Sequence, residues 1–385
     1  MRLRALTETV YRDLRGKETT PRADAAHLDA AIEWLYRAQD ATDSDGCAAT
    51  YNLVLGWEPA YPETTGYIVP TLYDYAETVD EPVARQRAER MARWLLNVQL
   101  DSGAFPAGTM DGDPPEASVF NTGQILFGLG RAYQETGDDA FLNALRRASE
   151  WLADVQDGDG SWTEHTYNDT VHVYTARVGW AMAAASQLTG DDRVEAAARR
   201  NLEWASALQR ENGTFRRCAF EPNKTPVLHT IAYTVRGLVE GGSVLNEPSF
   251  VESGRLAADQ LRDQQAADGS LAGAYDAEWT GASFRCLTGS AQMAVIWYRL
   301  AELTGDHAYA RAGQTAIQRL KRAQRFDGPG PVAGGLAGSR PVWGRYMWLR
   351  YPNWAPKFFA DALLATIDDE RSSATRTPDP TKPEQ

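Results

Sequence analysis

The sequence is short of cysteine, lysine and long apolar runs, and each shortage excludes something. Cys47, Cys218 and Cys286 are its three cysteines and form no CxxC pair. A sparse, odd count fits a reducing compartment, so a cytoplasmic protein is expected. No stretch reaches the roughly 20 apolar residues of a membrane span, so no integral membrane segment is expected. Residues 1–16 read as an amphipathic helix carrying Arg2, Arg4, Arg12 and Arg15, without the apolar core of a signal peptide. Lysine occurs at Lys17, Lys224, Lys321, Lys357 and Lys382, and the rest of the 39 basic residues are Arg, set against 52 acidic ones. The net charge of −13 disfavours nucleic acid and anionic membrane surfaces as partners. HExxH, the P-loop and a GxGxxG following a strand are all missing, so no metal or cofactor is expected. Asp157-Gly158-Asp159-Gly160 lacks the rest of an EF-hand and reads as a turn.

What is abundant is repetition. A short phrase, seen in full as Trp151-Leu152, Gln156 and Asp159-Gly160-Ser161-Trp162, returns around Gln39, Gln99, Gln156, Gln209, Gln265 and Gln324. Trp34, Trp94, Trp151 and Trp204 stand five residues before the first four glutamines. Gly103, Gly160, Gly213, Gly269 and Gly328 follow the last five by four residues, and the first copy delays its glycine to Gly46. A fixed period of this length signals units that bury an apolar face against their neighbours.

Each unit predicts an amphipathic helix ending at the Gln, as in 83–100, where Ala88, Met91, Ala92 and Leu95 recur at helical spacing. The Gly stops the helix, and a long, aromatic-rich loop follows. A second, more apolar helix then starts near Thr65, Thr122, Thr175, Thr230, Thr288 or Pro356, with the threonines as candidate N-caps. Short returns such as Thr136-Gly137-Asp138 and Thr189-Gly190-Asp191 make successive helices antiparallel. The reading is all-α: an (α/α)6 toroid of six helical hairpins over 24–372, after a lead-in over 1–23 and before a disordered tail over 373–385. An open solenoid is the alternative, disfavoured because no polar capping repeat is evident.

In a toroid the axial pocket is expected on the long-loop rim. There the inner helices point their N-termini, whose free N–H groups and positive dipole end favour an anion. The loops and first inner turns on that rim carry Trp57, Glu58, Tyr61, Glu63 and Tyr67, then Trp162, Glu164, His172, Tyr174 and Arg177. Further along come His229, Tyr233 and Arg236, then Glu278, Trp279, Arg285 and Gln292, and finally Arg345, Trp354 and Lys357. Aromatic faces stack on sugar rings and Arg forks bind carboxylates. The bland readings stand beside these. The aromatics can be repeat packing, His172 or His229 a helix cap, and Arg177 and Arg236 partners of structural acids.

The Gln-x-x-Asp-Gly-x-Trp copies resemble the QW repeats of squalene–hopene-type cyclases and of the protein prenyltransferase β-subunit toroid. The DxDD acid motif and the Asp–Cys–His zinc pattern of those families have no counterpart here. The other toroid group that the chain resembles is the six-hairpin glycosidases. Within it, Trp57-Glu58-Pro59-Ala60-Tyr61-Pro62 followed by Leu72-Tyr73-Asp74-Tyr75 resembles the C-terminal domain of glucuronyl C5-epimerases. By that resemblance Tyr61 would be the catalytic Tyr and Glu58 its acidic neighbour, although Ala60 stands where the family has Glu. The Tyr61–Tyr67 and Cys286–Gly289 stretches are similar to toroid proteins of surface-polysaccharide assembly. The resemblances together imply an enzyme acting on a uronic-acid-containing glycan or its lipid-linked precursor. In a C5-epimerase, Tyr61, Tyr67, His229 or Tyr233 would serve as base or acid, with Arg177, Arg236 and Arg285 on the carboxylate. In a hydrolase, Glu58 or Glu63 would pair with Glu164 or Glu278. A lyase, an isoprenoid-processing toroid and a non-catalytic glycan-binding protein are the remaining readings.

Overall fold

The computed structural model describes residues 2–112 and 115–376. Helix α1 (Arg2–Leu14) leads into twelve helices that alternate between an outer and an inner ring. The outer helices are α2 (Asp24–Asp40), α4 (Pro82–Val98), α6 (Asp139–Asp154), α8 (Asp192–Ala207), α10 (Pro248–Asp263) and α12 (His307–Lys321). The inner ones are α3 (Pro62–Val79), α5 (Val119–Thr136), α7 (Ala176–Thr189), α9 (Leu228–Val244), α11 (Leu287–Thr304) and α13 (Trp354–Arg376). Each inner helix packs on the next, and α13 packs on both α2 and α3, so the ring closes as the (α/α)6 toroid that the repeat predicts. Most of the tail expected to be disordered lies outside the described residues; α13 itself runs to Arg376.

The sequence explains the alternation. On α4, Ala84, Ala88, Met91, Ala92 and Leu95 are buried while Arg85, Gln86 and Glu89 between them face outward. Inner helices are buried nearly all round, as on α11, where every residue from Leu287 to Tyr298 is buried. The Thr-Gly-Asp returns are two caps fused. Gly137 ends α5 in the left-handed region at φ 68°, the Thr136 hydroxyl donates to Ala132 O, and Asp138 accepts Ala140 N at the start of α6. Thr304-Gly305-Asp306 repeats the pattern between α11 and α12.

The repeated Gln is a staple between units. Gln99 Nε2 donates to Gly103 O at 2.8 Å and to Ala144 O of the next outer helix at 3.0 Å. Gln156, Gln209 and Gln265 do the same toward Ala197, Ser253 and Ala312. The glycine four residues on has to be glycine: Gly269 sits at φ 84°, and a Cβ there would lie 2.2 Å from Thr315 O. In the sixth copy the role falls to Gly334 instead of Gly328. Gln324 Nε2 donates to Gly334 O at 2.7 Å and to His27 O at 3.1 Å, tying the last unit to the first.

Thr175 stands at the N-cap of α7 without a side-chain capping bond. Helices α3, α5 and α9 begin two to three residues before Thr65, Thr122 and Thr230, and α11 one before Thr288, so these are not N-caps. They sit in the first turn, where Thr65 and Thr122 hydroxyls accept Cys47 N and Phe105 N, each at 2.9 Å, and fix the incoming loop. The long loops also hold short strands. β1 (Thr50–Asn52) pairs antiparallel with β2 (Gly56–Trp57) and with β5 (Arg350–Pro352), while β3 (Arg285–Cys286) pairs with β4 (Ser339–Arg340). The β1–β5 pair closes the loop rim where Gln324 closes the outer ring. No described helix is long and apolar enough to cross a membrane.

Candidate functional site

On the loop rim the axis is filled by side chains from the first two turns of the inner helices. Pro62 opens α3 with its fixed φ, so Tyr61 stays extended at the N-cap and Glu63 falls in the first turn. Glu63 is 7% exposed, and the Tyr61 hydroxyl donates to its Oε2. Burial pushes the Glu63 carboxyl up to about 7, against the opposing pull of the Tyr61 hydrogen bond and the Arg177 charge. Around it stand Tyr67, Tyr174, His229, Tyr233, Tyr346 and Phe358, all buried. His229 packs 4.2 Å from the Tyr233 ring and 5.2 Å from Tyr346. Gln292 Nε2 donates to His229 Nδ1 at 2.8 Å, and burial with the Arg177 charge drops the imidazole to about 3. His229 is therefore neutral at physiological pH. Burial raises Tyr61, Tyr67, Tyr174 and Tyr346 well above the usual phenol range, and Tyr233 with them, so each phenol is protonated.

Two loops are tied across this cluster. Phe220 lies 5.8 Å from the Tyr174 ring and 6.5 Å from His229, under the exposed Tyr167. His172 stacks on Tyr174 at 4.6 Å and sets one ring nitrogen against Ala219 O and the other against Tyr167 O. His172 thus joins the third loop to the fourth.

Beneath the phenols comes a cationic tier. Arg177, in the first turn of α7, is 1% exposed, with its guanidinium carbon 4.9–6.0 Å from the ring centres of Tyr67, Phe127, Trp180, Tyr233 and Phe358. Its Nε donates to Gln124 Oε1 at 2.5 Å, while Nη1 has no hydrogen-bond partner among the described residues. Lys357 Nζ meets Asp361 Oδ2 at 2.5 Å, and Thr71 donates to Oδ1 of the same carboxylate at 2.7 Å. Burial brings Lys357 down to about 8. Arg236 Nη1 stands 3.7 Å from Asp361.

This tier faces an axial cavity of about 430 Å³. Pro70, Asp74 and Thr78 of α3 and Leu364 and Ala365 of α13 wall it, so it opens toward the short returns, contrary to the expected loop-rim opening. The cause is side-chain volume: Tyr and Phe fill the first two turns of the ring, whereas Thr71, Val295 and Ala365 leave space further down. Arg236 and Lys357, expected on the loop rim, belong to this deeper space. A second cavity, of about 670 Å³, lies off the axis among the third, fourth and fifth loops, lined by Arg210, Arg216, Arg217 and Lys224 beside Phe215 and Trp279.

The other residues singled out from the sequence lie apart from the axial cluster. Glu58 is held by Arg350 Nε at 2.8 Å. Trp57 packs on Trp34 and Tyr51. Trp162 is core, donating to Leu152 O, and Trp279 donates to Asn212 O. Glu164 and Glu278 are exposed, Arg345 lies over the Phe284 ring, and Arg285 sits in β3. Trp354 reaches the cluster through Tyr346, to whose hydroxyl its Nε1 donates at 2.7 Å. Gln124, Trp180 and Asp361 were missed. Asp361 was findable, standing four residues after a lysine in a helix N-terminal turn, where a cation needs a partner. Among the described residues no group of three His, Cys, Asp or Glu could hold a metal ion.

The fold is a closed helical toroid of six hairpins, the fold of the solved structures it is similar to. Residues 116–239 match the family model of the squalene–hopene cyclase C-terminal domain. No curated protein sequence matches. Among solved structures, an unsaturated glucuronyl hydrolase specific for heparin is similar over 90% of this chain and 97% of its own, with TM-score 0.73 and 16% identity. Cellobiose 2-epimerase from Bacillus thermoamylovorans is similar over 94% and 99%, with TM-score 0.69 and 13% identity. A polysaccharide lyase is similar over 91% and 99%, with TM-score 0.64 and 12% identity.

Proposed function

We propose that the protein is a carbohydrate-active enzyme that moves a proton on a uronic-acid-containing glycan, with Glu63 as its acid–base group. One observation carries this reading: a buried carboxyl on the axis, poised near neutrality and hydrogen-bonded by a phenol, without a second carboxylate beside it among the described residues. A carboxyl with this pKa is present in both protonation states at neutral pH, as proton shuttling requires. As carboxylate, Glu63 takes the C5 proton of the uronate; the C5–H electron pair moves into the sugar's carboxylate as an enediolate. The inner-helix N-termini and the Arg177 charge stabilise that anion. The protonated phenol of Tyr233, carried on α9 rather than on α3, then returns a proton to the opposite face, giving epimerisation, and Glu63 and the phenolate are reset by proton exchange with solvent. If the C4–O bond breaks instead, the electron pair forms the C4–C5 double bond, the leaving oxygen takes the proton that Glu63 removed, and the outcome is elimination.

The off-axis cleft supports an anionic glycan: in a chain of net charge −13 it gathers Arg210, Arg216, Arg217 and Lys224 against two acids, Glu221 and Asp276, on the same rim. The structural neighbours, named as a glucuronyl hydrolase, a cellobiose epimerase and a polysaccharide lyase, support a carbohydrate substrate, and the first of them a uronate. Hydrolysis by a carboxylate pair has less support, because Glu58 is neutralised by Arg350 while Glu164 and Glu278 point into solvent. The nearly sealed cluster requires the loops carrying Tyr167 and Phe220 to part for substrate.

The test is proton–deuterium exchange in D2O with glucuronate-containing glycans, read by NMR. Deuterium should appear at C5, vanish in Glu63→Gln and fall in Tyr61→Phe. Release of reducing ends without C5 exchange would overturn proton transfer in favour of hydrolysis.

A further inference from the structure

The cavity at the opposite end of the axis holds buried cations with incomplete hydrogen bonding, Arg177 Nη1 and Arg236 Nε and Nη1 having no acceptor among the described residues. Arg177 and Lys357 both lie in N-terminal turns, where free N–H groups already supply positive charge and a buried cation is unfavourable. One carboxylate, Asp361, stands between them, already occupied by Lys357 and Thr71. Asp74 is taken by Arg131 at 2.7 Å, and Glu240 by Arg299 at 3.1 Å. Arg236 is left with its two carboxylates at 3.7 Å each, and Arg177 Nη1 is buried without a hydrogen-bond acceptor among the described residues. Buried cations of this kind call for an anion. Glu77, like Asp74, lines the cavity but pairs with Arg131, and the apolar walls Tyr67, Phe127, Trp180, Val295 and Leu364 suit a carbon framework better than a bare hydrated ion.

We infer that this cavity binds a small organic anion, a carboxylate or phosphate monoester carried on a body of about one sugar ring, with the acid group between Arg177, Arg236 and Lys357 and the body against Trp180. The volume of about 430 Å³ accommodates such a molecule. Arg177 forms the floor of this cavity and also acts on Glu63 beyond it, so an occupant would alter the charge felt by the loop-rim cluster. The inference does not rest on the chemistry proposed at that rim, although Arg177 is common to both ends.

Calorimetric titration of the full chain with glucuronate, glucose 1-phosphate, inorganic phosphate and glucose tests it, the first two probes separating carboxylate from phosphate recognition. Binding is expected for at least one of the two organic acids and not for glucose. Arg236→Gln, at the cavity mouth, should weaken binding about tenfold by removing a charge-assisted hydrogen bond. Glu63→Gln, which reaches the cavity only through Arg177, should change it by no more than about threefold, so failure here is distinguishable from failure of the proton-transfer reading. As a second localisation, the 5-fluorotryptophan resonance assigned through Trp180→Phe should shift with ligand in the otherwise unaltered protein, so the test survives even if Arg236→Gln fails to fold. The inference is overturned if neither organic acid binds, if glucose binds equally well, if the Trp180 resonance stays fixed, or if Glu63→Gln abolishes binding while Arg236→Gln does not.

Discussion

The two ends of the toroid axis are built from the same six helices and are chemical opposites. At the loop end, first-turn residues close on a single carboxyl among protonated phenols and a neutral imidazole, almost without solvent. At the return end the same helices spread around an open space lined by Arg177, Arg236 and Lys357. Helix direction does not account for this. The N-terminal end should attract the anion and the C-terminal end the cations, yet Arg177 and Lys357 lie near N-termini. Side-chain size decides where space remains, and placement of charge within that space decides what each end can hold.

The comparison can be broken in several places. The largest effect is expected from Glu63→Gln, which should cut C5 exchange by about a thousandfold, within the span of general acid–base catalysis. Its effect on stability has the opposite sign. The Glu63 carboxyl is raised from 4.5 to about 7 in the folded chain. The folded state therefore holds a proton that the unfolded chain releases, and the group's contribution is full below pH 4.5 and lost as pH rises through 7. Glu63→Gln should accordingly be more stable than the parent protein at pH 8 by about 3 kcal/mol, a gap that closes by pH 4 in denaturant titrations. Next come changes that touch neither end. Gly269→Ala, forced into a left-handed backbone against Thr315 O, should cost about 2 kcal/mol, measured by urea unfolding, and leave both ends working. Gln156→Ala, which loses hydrogen bonds to Gly160 O and Ala197 O, should cost about 1 kcal/mol. The smallest effect is expected from Phe220→Ala. It should speed amide exchange in residues 216–226 and scarcely move the midpoint of unfolding.

The architecture was legible because one side chain makes one contact five times, and a variant of it through Arg87 at Gln39: a Gln that bonds its own loop and the next helix must recur at the spacing of the units. Hairpin number, helix direction and the long-loop rim all follow from it. The site was legible in part. Tyr61, Glu63, Tyr67, His229 and Tyr233 are polar residues in first and second inner turns, and the structure brings them together. Which end stays open was not legible, since it depends on side-chain volumes summed across six helices at equal depth. Arg236 shows why: two turns into α9 it sits below the phenols, yet in the sequence it stands three residues from Tyr233. Gly334 was missed for a simpler reason: the Gln324 loop is longer, so the required backbone turn falls six residues beyond Gly328.

The bond from Gln324 to His27 O has a consequence for how the molecule comes apart. A linear stack of repeats frays from its ends, where the last member leans on one neighbour. Here the sixth member leans on the first, so every hairpin has two neighbours and none is terminal. Melting should therefore be a single cooperative step with no peeling of one hairpin ahead of the rest. A chain nicked in any short return should stay assembled, since the severed hairpins remain clamped from both sides.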